Sequence, residues 1–155
     1  MISDKELLFV SSLRKSARKT LTKISKELNI PVSTLFEKLK KLEKALIVKH
    51  TAILDFNKLG YTTRAKILLK VSKKDREKLR EMLSKSEYVN SLYKITNGFD
   101  FLVEGIFKSL QQMENFIEEL EDRFQITKKN VYFVIDDVKR EKFLSDVELT
   151  KMMQK

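Results

Sequence analysis

The sequence predicts an α+β protein: an N-terminal winged helix-turn-helix followed by a C-terminal ferredoxin-like β-α-β-β-α-β domain. Three observations carry this. Apolar residues recur at helical spacing as far as Leu46, and from Thr62 the pattern switches to strand-like alternation interrupted by two helical stretches. A lone proline, Pro31, separates two amphipathic helix patterns a few residues apart. Positive charge is concentrated at one end: residues 1–60 hold 13 Lys/Arg against 6 Asp/Glu, an excess of seven, and residues 61–155 hold 19 against 16, an excess of three.

The elements follow in order. Ser3-Asp4-Lys5-Glu6 is a capping box, with Ser3 accepting from a first-turn N–H and Glu6 reaching back. Leu7, Leu8, Val10, Ser11 and Leu13 then fit a helix of about three turns. A second helix starts near Thr20 and places Leu21, Ile24 and Leu28 on one face, with Asn29-Ile30 at its end. Pro31 suits the first position of a third helix. That helix carries Leu35, Leu39, Leu42 and Leu46 in one stripe. Ile47 to Leu54 is rich in β-branched residues and reads as a strand, the wing. Residues 55–61, DFNKLGY, are a hinge. The domains expected are therefore 1–54, 62–142 and a C-terminal extension, 143–155, in which Ser145 and Glu148 suggest a short capped helix, either frayed or packed on a partner subunit.

Within 62–142, RAKILLKV is a strand and SKKDREKLREMLSKS a helix capped by Ser72. VNSLYKIT and DFLVEGIF are strands joined by an Asn-Gly hairpin signal. SLQQMENFIEELEDRF is a helix capped by Ser109, with Gln112 completing the box, and NVYFVIDDV is the last strand. Phe101, Val103 and Phe107 share one face, and Leu102 and Ile106 the other. Val131, Phe133 and Ile135 oppose Tyr132 and Val134. Two helices cover one face of a four-stranded sheet, so the second apolar face needs a cover. A second copy of the same sheet is the simplest one, which predicts a homodimer.

On the third helix, the face opposite the leucines carries Ser33, Glu37, Lys40 and Lys44, flanked by Thr34 and Lys41. Alone, this is an ordinary solvated face. A short helix, a tight turn, a basic helix and a strand together make a helix-turn-helix, in which Ser33, Thr34 and Glu37 read bases in the major groove and the lysines meet phosphates. Glu37 is repelled by phosphate, so it either accepts from cytosine N4 or pairs with Lys38, Lys40 or Lys41. Phe36 flanks the face. Packing against the first helix is its expected role, and contact with a thymine methyl is the alternative.

The order of these parts resembles the Lrp/AsnC family of archaeal and bacterial transcription regulators over roughly residues 3–142. ARKTLTKISKELNIPVSTLFEKLKKLE stands as the helix-turn-helix, HTAILDFNKLGY as the linker and TNGFDFLV as the hairpin of the effector (RAM) domain. The resemblance implies a dimer through the C-terminal domain, assembled further into tetramers or octamers, that binds pseudo-palindromic double-stranded operators. It also implies a small-molecule effector, often an amino acid. The recognition-helix motif falls on Ser33, Thr34, Lys38, Lys40 and Lys41. The effector-hairpin motif falls on Thr96, Asn97, Gly98, Phe99 and Asp100. Pro31 replaces the usual serine cap, the glycine between recognition helix and wing is missing, and the hairpin glycine is shifted one place to Gly98.

Other chemistry finds no support in the residues. There is no cysteine, one histidine (His50) and no glycine-rich phosphate loop, since the glycines are Gly60, Gly98 and Gly105. No catalytic pair, metal site or cofactor is expected, and the chain reads as a non-enzyme. No apolar run approaches a membrane span, and MISDKELLFVSSLRKS lacks a signal-peptide layout, so the cytoplasm is the expected location. A sequence-specific regulator is the reading preferred over an architectural DNA-coating protein. A tetrapyrrole-modifying enzyme on the same architecture is a third reading, disfavoured by the lack of histidine in the C-terminal domain.

Overall fold

A computed structural model describes residues 2–153. Contacts divide the chain into two units: residues up to Ile53 together with those from Val138 onward, and Leu54–Asp137.

The first unit is helical. α1 (Asp4–Lys15) opens on the expected capping box: the Glu6 carboxylate accepts from the Ser3 N–H at 2.9 Å, and Ser3 Oγ accepts from the Glu6 N–H at 3.4 Å. α2 (Leu21–Leu28) is capped by Thr20, whose Oγ1 accepts from the Lys23 N–H. It ends at Asn29, in the left-handed region at φ 52°, a conformation asparagine tolerates better than most residues. That turn swings Ile30 into a core with Phe9, Val10, Ile24, Leu35 and Leu42. α3 (Val32–Ala45) begins one residue later than expected. Pro31 stands at the cap, where it has no side chain to offer, and its carbonyl accepts from the Leu35 N–H. The leucine stripe also stops early. Leu42 is buried, but the helix ends at Leu46 and leaves that side chain exposed.

The strand expected over Ile47–Leu54 does not form. The segment has no ladder hydrogen bonds, and Val48 is 98% exposed. β-branched residues favour extended backbone, but a strand needs an edge to pair with, and the described part of this unit is otherwise helical. The C-terminal segment packs on its own chain. α6 (Val147–Met153) starts at Asp146, whose carboxylate accepts from the Glu148 and Leu149 N–H groups; Ser145, expected as the cap, instead donates to the Lys142 carbonyl. α6 lies against α1, with Thr150 Oγ1 buried 3.2 Å from Ser11 Oγ. The Arg14 guanidinium secures the approach, donating to the Phe143 carbonyl at 2.6 Å and pairing with Glu141.

The second unit has the expected element order: β1 (Thr63–Val71), α4 (Arg76–Lys85), β2 (Val89–Lys94), β3 (Phe101–Phe107), α5 (Leu110–Arg123) and β4 (Ile126–Phe133). The sheet runs β2-β3-β1-β4 with all pairs antiparallel, the ferredoxin-like arrangement. Its core packs Ala65, Ile67, Leu69, Phe101, Val103 and Phe107 against Leu79 and Leu83 of α4 and Met113, Phe116, Ile117 and Leu120 of α5. α4 begins later than a Ser72 cap implies. Asp75 stands at its cap, and its carboxylate accepts from the Gln125 N–H and the Ser72 hydroxyl, tying the helix start to the entry of β4. Ser109 caps α5 as expected. Gln112 reaches one residue further back than a capping box requires, to the Lys108 N–H.

The sheet face away from the helices carries Leu68, Leu102, Ile106, Tyr93 and Tyr132, but it is not apolar throughout. Glu104 lies at its centre, 4% exposed. Arg64 meets Glu104 Oε1 through Nε at 2.7 Å and Nη2 at 2.6 Å, Lys66 adds a second cation at 3.2 Å, and Asn90 and Ser91 donate to Oε2. Arg64 also holds Asp137 at 2.6 Å. Burial by itself would raise the Glu104 carboxyl. The Asn90 and Arg64 hydrogen bonds, with the nearby cationic charge, outweigh it and hold the carboxyl at about 2.

Candidate nucleic-acid interface

α3 is positioned by its buried side. Leu35 is wholly buried against Phe9 and Ile24, and Leu39 and Leu42 follow on the same stripe. The α2–α3 turn, closed by Asn29 and Pro31, sets the crossing of the two helices. The opposite face of α3 is open: Ser33, Thr34, Glu37, Lys40, Lys41 and Lys44 are all exposed. Glu37 makes no ion pair among the described residues, so it is not neutralised by the lysines around it. α2 adds exposed Lys23 and Lys26.

Lys38 is the exception among the expected contacts. It turns toward α1, where its Nζ meets the Glu6 carboxylate at 3.0 Å in a partly buried pair. The Ser3 N–H and the Lys38 ammonium together hold the Glu6 carboxyl at about 2. Glu6, whose side chain completes the capping box of α1, thus also clamps α3 across 32 residues of chain. Nothing in local sequence signals this pair. Phe36 also differs from its expected role: it is 49% exposed and outside the core, with Lys40 Nζ 4.5 Å from its ring centroid.

The hairpin after β2 places Thr96, Asn97 and Gly98 at an exposed tip, with Asn97 and Gly98 both at positive φ (65° and 92°). Phe99 is half-buried beneath Lys128, whose Nζ is 4.7 Å from the ring centroid. Asp100 is structural as well as central. Its carboxylate accepts from the Val71 N–H at 3.0 Å and pairs with Arg76 at 2.8 Å, joining the end of β1 to the start of α4. His50 pairs with Glu43 at 3.1 Å, and no group of potential metal ligands occurs among the described residues.

The family model of the Lrp/AsnC ligand binding domain matches residues 64–144, which take in the sheet and helices of the second unit and the first residues after it. The chain belongs to the Lrp/AsnC family. Its relatives include an uncharacterised HTH-type transcriptional regulator of Pyrococcus furiosus, 27% identical over 141 residues, covering 90% of this chain and 95% of the relative. The HTH-type transcriptional regulator FL11 of Pyrococcus horikoshii is 31% identical over 116 residues, covering 74% and 76%. Among solved structures, a transcriptional regulator from Neisseria meningitidis in complex with L-Met superposes with a TM-score of 0.83 over 90% of this chain and 94% of that one. At 20% identity that likeness shows the fold alone. No described helix is long and apolar enough to cross a membrane.

Proposed function

We propose that this Lrp/AsnC-family chain is a sequence-specific DNA-binding transcriptional regulator that lays α3 in the major groove. The observation that carries the reading is the division of labour along the exposed face of α3. Ser33, Thr34 and the unpaired Glu37 occupy the N-terminal half, which in a helix-turn-helix approaches base edges. Lys40, Lys41 and Lys44 occupy the C-terminal half, with the reach and charge to meet phosphates. Lys38 is assigned to holding α3 on α1. An unpaired carboxylate on a cationic helix fits acceptance from cytosine N4, the major-groove donor of a C·G pair.

The regulator acts as a homodimer through the open sheet face, where exposed Tyr93 and Tyr132 flank Leu68, Leu102 and Ile106. Two recognition helices then meet half-sites about 34–36 Å apart on a pseudo-palindromic operator. Ile47–Leu54 occupies the place of the wing after α3 but carries no strand pairing in this chain. Higher assembly into tetramers or octamers and a cytoplasmic location belong to the same reading. The effector is a small molecule, an amino acid by analogy with the L-Met complex of the Neisseria neighbour, bound near Thr96, Asn97, Gly98, Phe99 and Asp100.

The test is selection of bound duplexes from random DNA by the full chain and by its Glu37→Ala variant, with and without a panel of amino acids. A regulator binds its selected site roughly 10³-fold or more tighter than random duplex. Glu37→Ala relaxes the base preference while leaving random-duplex affinity in place. A ratio near one identifies an architectural coating protein instead.

A further inference from the structure

We infer that Phe36 is a specificity-determining residue that contacts the C5-methyl group of a thymine in the operator; the inference rests on the DNA-binding reading above. A single exposed apolar side chain is ordinary on a protein surface. The place of this one is not. Along α3 the residues that face the core are Leu35, Leu39 and Leu42. Phe36 lies about 100° around the helix from Leu35, clear of that stripe. Its neighbours one turn away on either side are Val32, 41% exposed, and Lys40. These three side chains form a ridge beside Ser33 and Glu37, and Val32 and Phe36 lie in the half of the helix that approaches bases. The Lys40 ammonium, 4.5 Å above the ring centroid, holds the ring against the helix surface rather than letting it fold toward the core.

The occupant follows from chemistry. The base edges lining the major groove present hydrogen-bonding groups with one apolar exception, the thymine methyl, and phenylalanine is among the side chains suited to it. Lys40 within the ridge and Lys41 and Lys44 beyond it supply positive charge that makes no ion pair among the described residues, which complements a polyanion and opposes burial against a hydrophobic protein surface. Phe36 therefore supplies thymine readout beside the polar readout of Ser33, Thr34 and Glu37.

Deoxyuridine tests this, because it differs from thymidine in that methyl alone. In the site selected by the wild-type full chain, each thymine is replaced in turn by uracil. At one or two positions per half-site, affinity falls about fourfold, the effect of uncovering one methyl-sized group. Phe36→Ala weakens binding to the thymine site and is indifferent to uracil there, so the two losses do not multiply; Phe36→Leu keeps most of the discrimination. A wild-type chain that binds every uracil site as tightly as its thymine parent overturns the inference. So does a Phe36→Ala loss that multiplies with the uracil loss, or a Phe36→Ala change in oligomeric state with uracil indifference, which would make the ring a protein contact. A chain that selects a site yet ignores uracil loses this inference alone. A chain that prefers no duplex loses the regulator reading with it.

Discussion

Lys38 and Lys41 are three residues apart in one lysine-rich helix, and sequence alone gives no reason to treat them differently. Their environments separate them. Lys38 is partly buried against Glu6, and Lys41 is exposed with no acidic partner among the described residues. Lys41→Ala is expected to weaken binding to every duplex and to lower the slope of log affinity against log salt by roughly 1, as loss of one phosphate contact does. Lys38→Ala is expected to leave that slope unchanged and to lower the melting temperature of the helical unit, because Glu6 then loses the cation that stabilises its charged form. Affinity titrations at several salt concentrations, run beside thermal melts, check both. At this scale exposure was legible from helical phase for Ser33, Glu37, Lys40 and Lys44. The Lys38–Glu6 pair was not, because its partners lie on different helices and meet through the packing of α1 on α3.

Among the elements, caps and periodicity located the α-helices and the four sheet strands, with α4 starting late where Asp75 found a partner at Gln125; the last strand is misplaced, since β4 runs Ile126–Phe133 where 130–138 was expected, and Ile135 is left 97% exposed beyond it. The Ile47–Leu54 strand failed for the reason that limits any strand assignment: propensity belongs to the segment, but pairing belongs to a neighbour. β3 illustrates the converse. Gly105 sits in the core-facing row between Val103 and Phe107, where alternation calls for an apolar side chain. A Cβ there would overlap the Phe107 ring, which lies back over the glycine and packs on Tyr88 at 5.6 Å and Phe116 at 5.5 Å between centroids. Gly105→Ala is expected to destabilise the ferredoxin-like unit by about 1–3 kcal/mol through overpacking. Denaturant unfolding measures this, and an unchanged midpoint would show that the aromatic trio can shift without cost.

Over the whole molecule, the Glu104 cluster links fold and acid stability. The carboxyl ionises near 4.5 when unfolded and at about 2 when folded, so folding favours its charged form. The stabilisation is complete above pH 4.5 and is lost as pH falls toward 2; for a shift of this size it is about 3 kcal/mol. Urea unfolding is expected to show constant stability from neutrality to about pH 5 and a decline below it. Glu104→Gln lowers the plateau and flattens the decline, and a parallel decline in the variant would place the acid sensitivity elsewhere. The sequence by itself determined the two-part architecture, the βαββαβ order, the basic face of α3 and the family resemblance, because periodicity, caps and charge placement act over one helix or hairpin at a time. Tertiary structure alone decided that α6 docks on α1, that Lys38 faces Glu6, that Phe36 stands outside the core, and that a carboxylate surrounded by cations occupies the middle of a sheet face expected to be apolar. Each depends on groups far apart in the chain, and their free energies are set by burial and partners that no local pattern encodes.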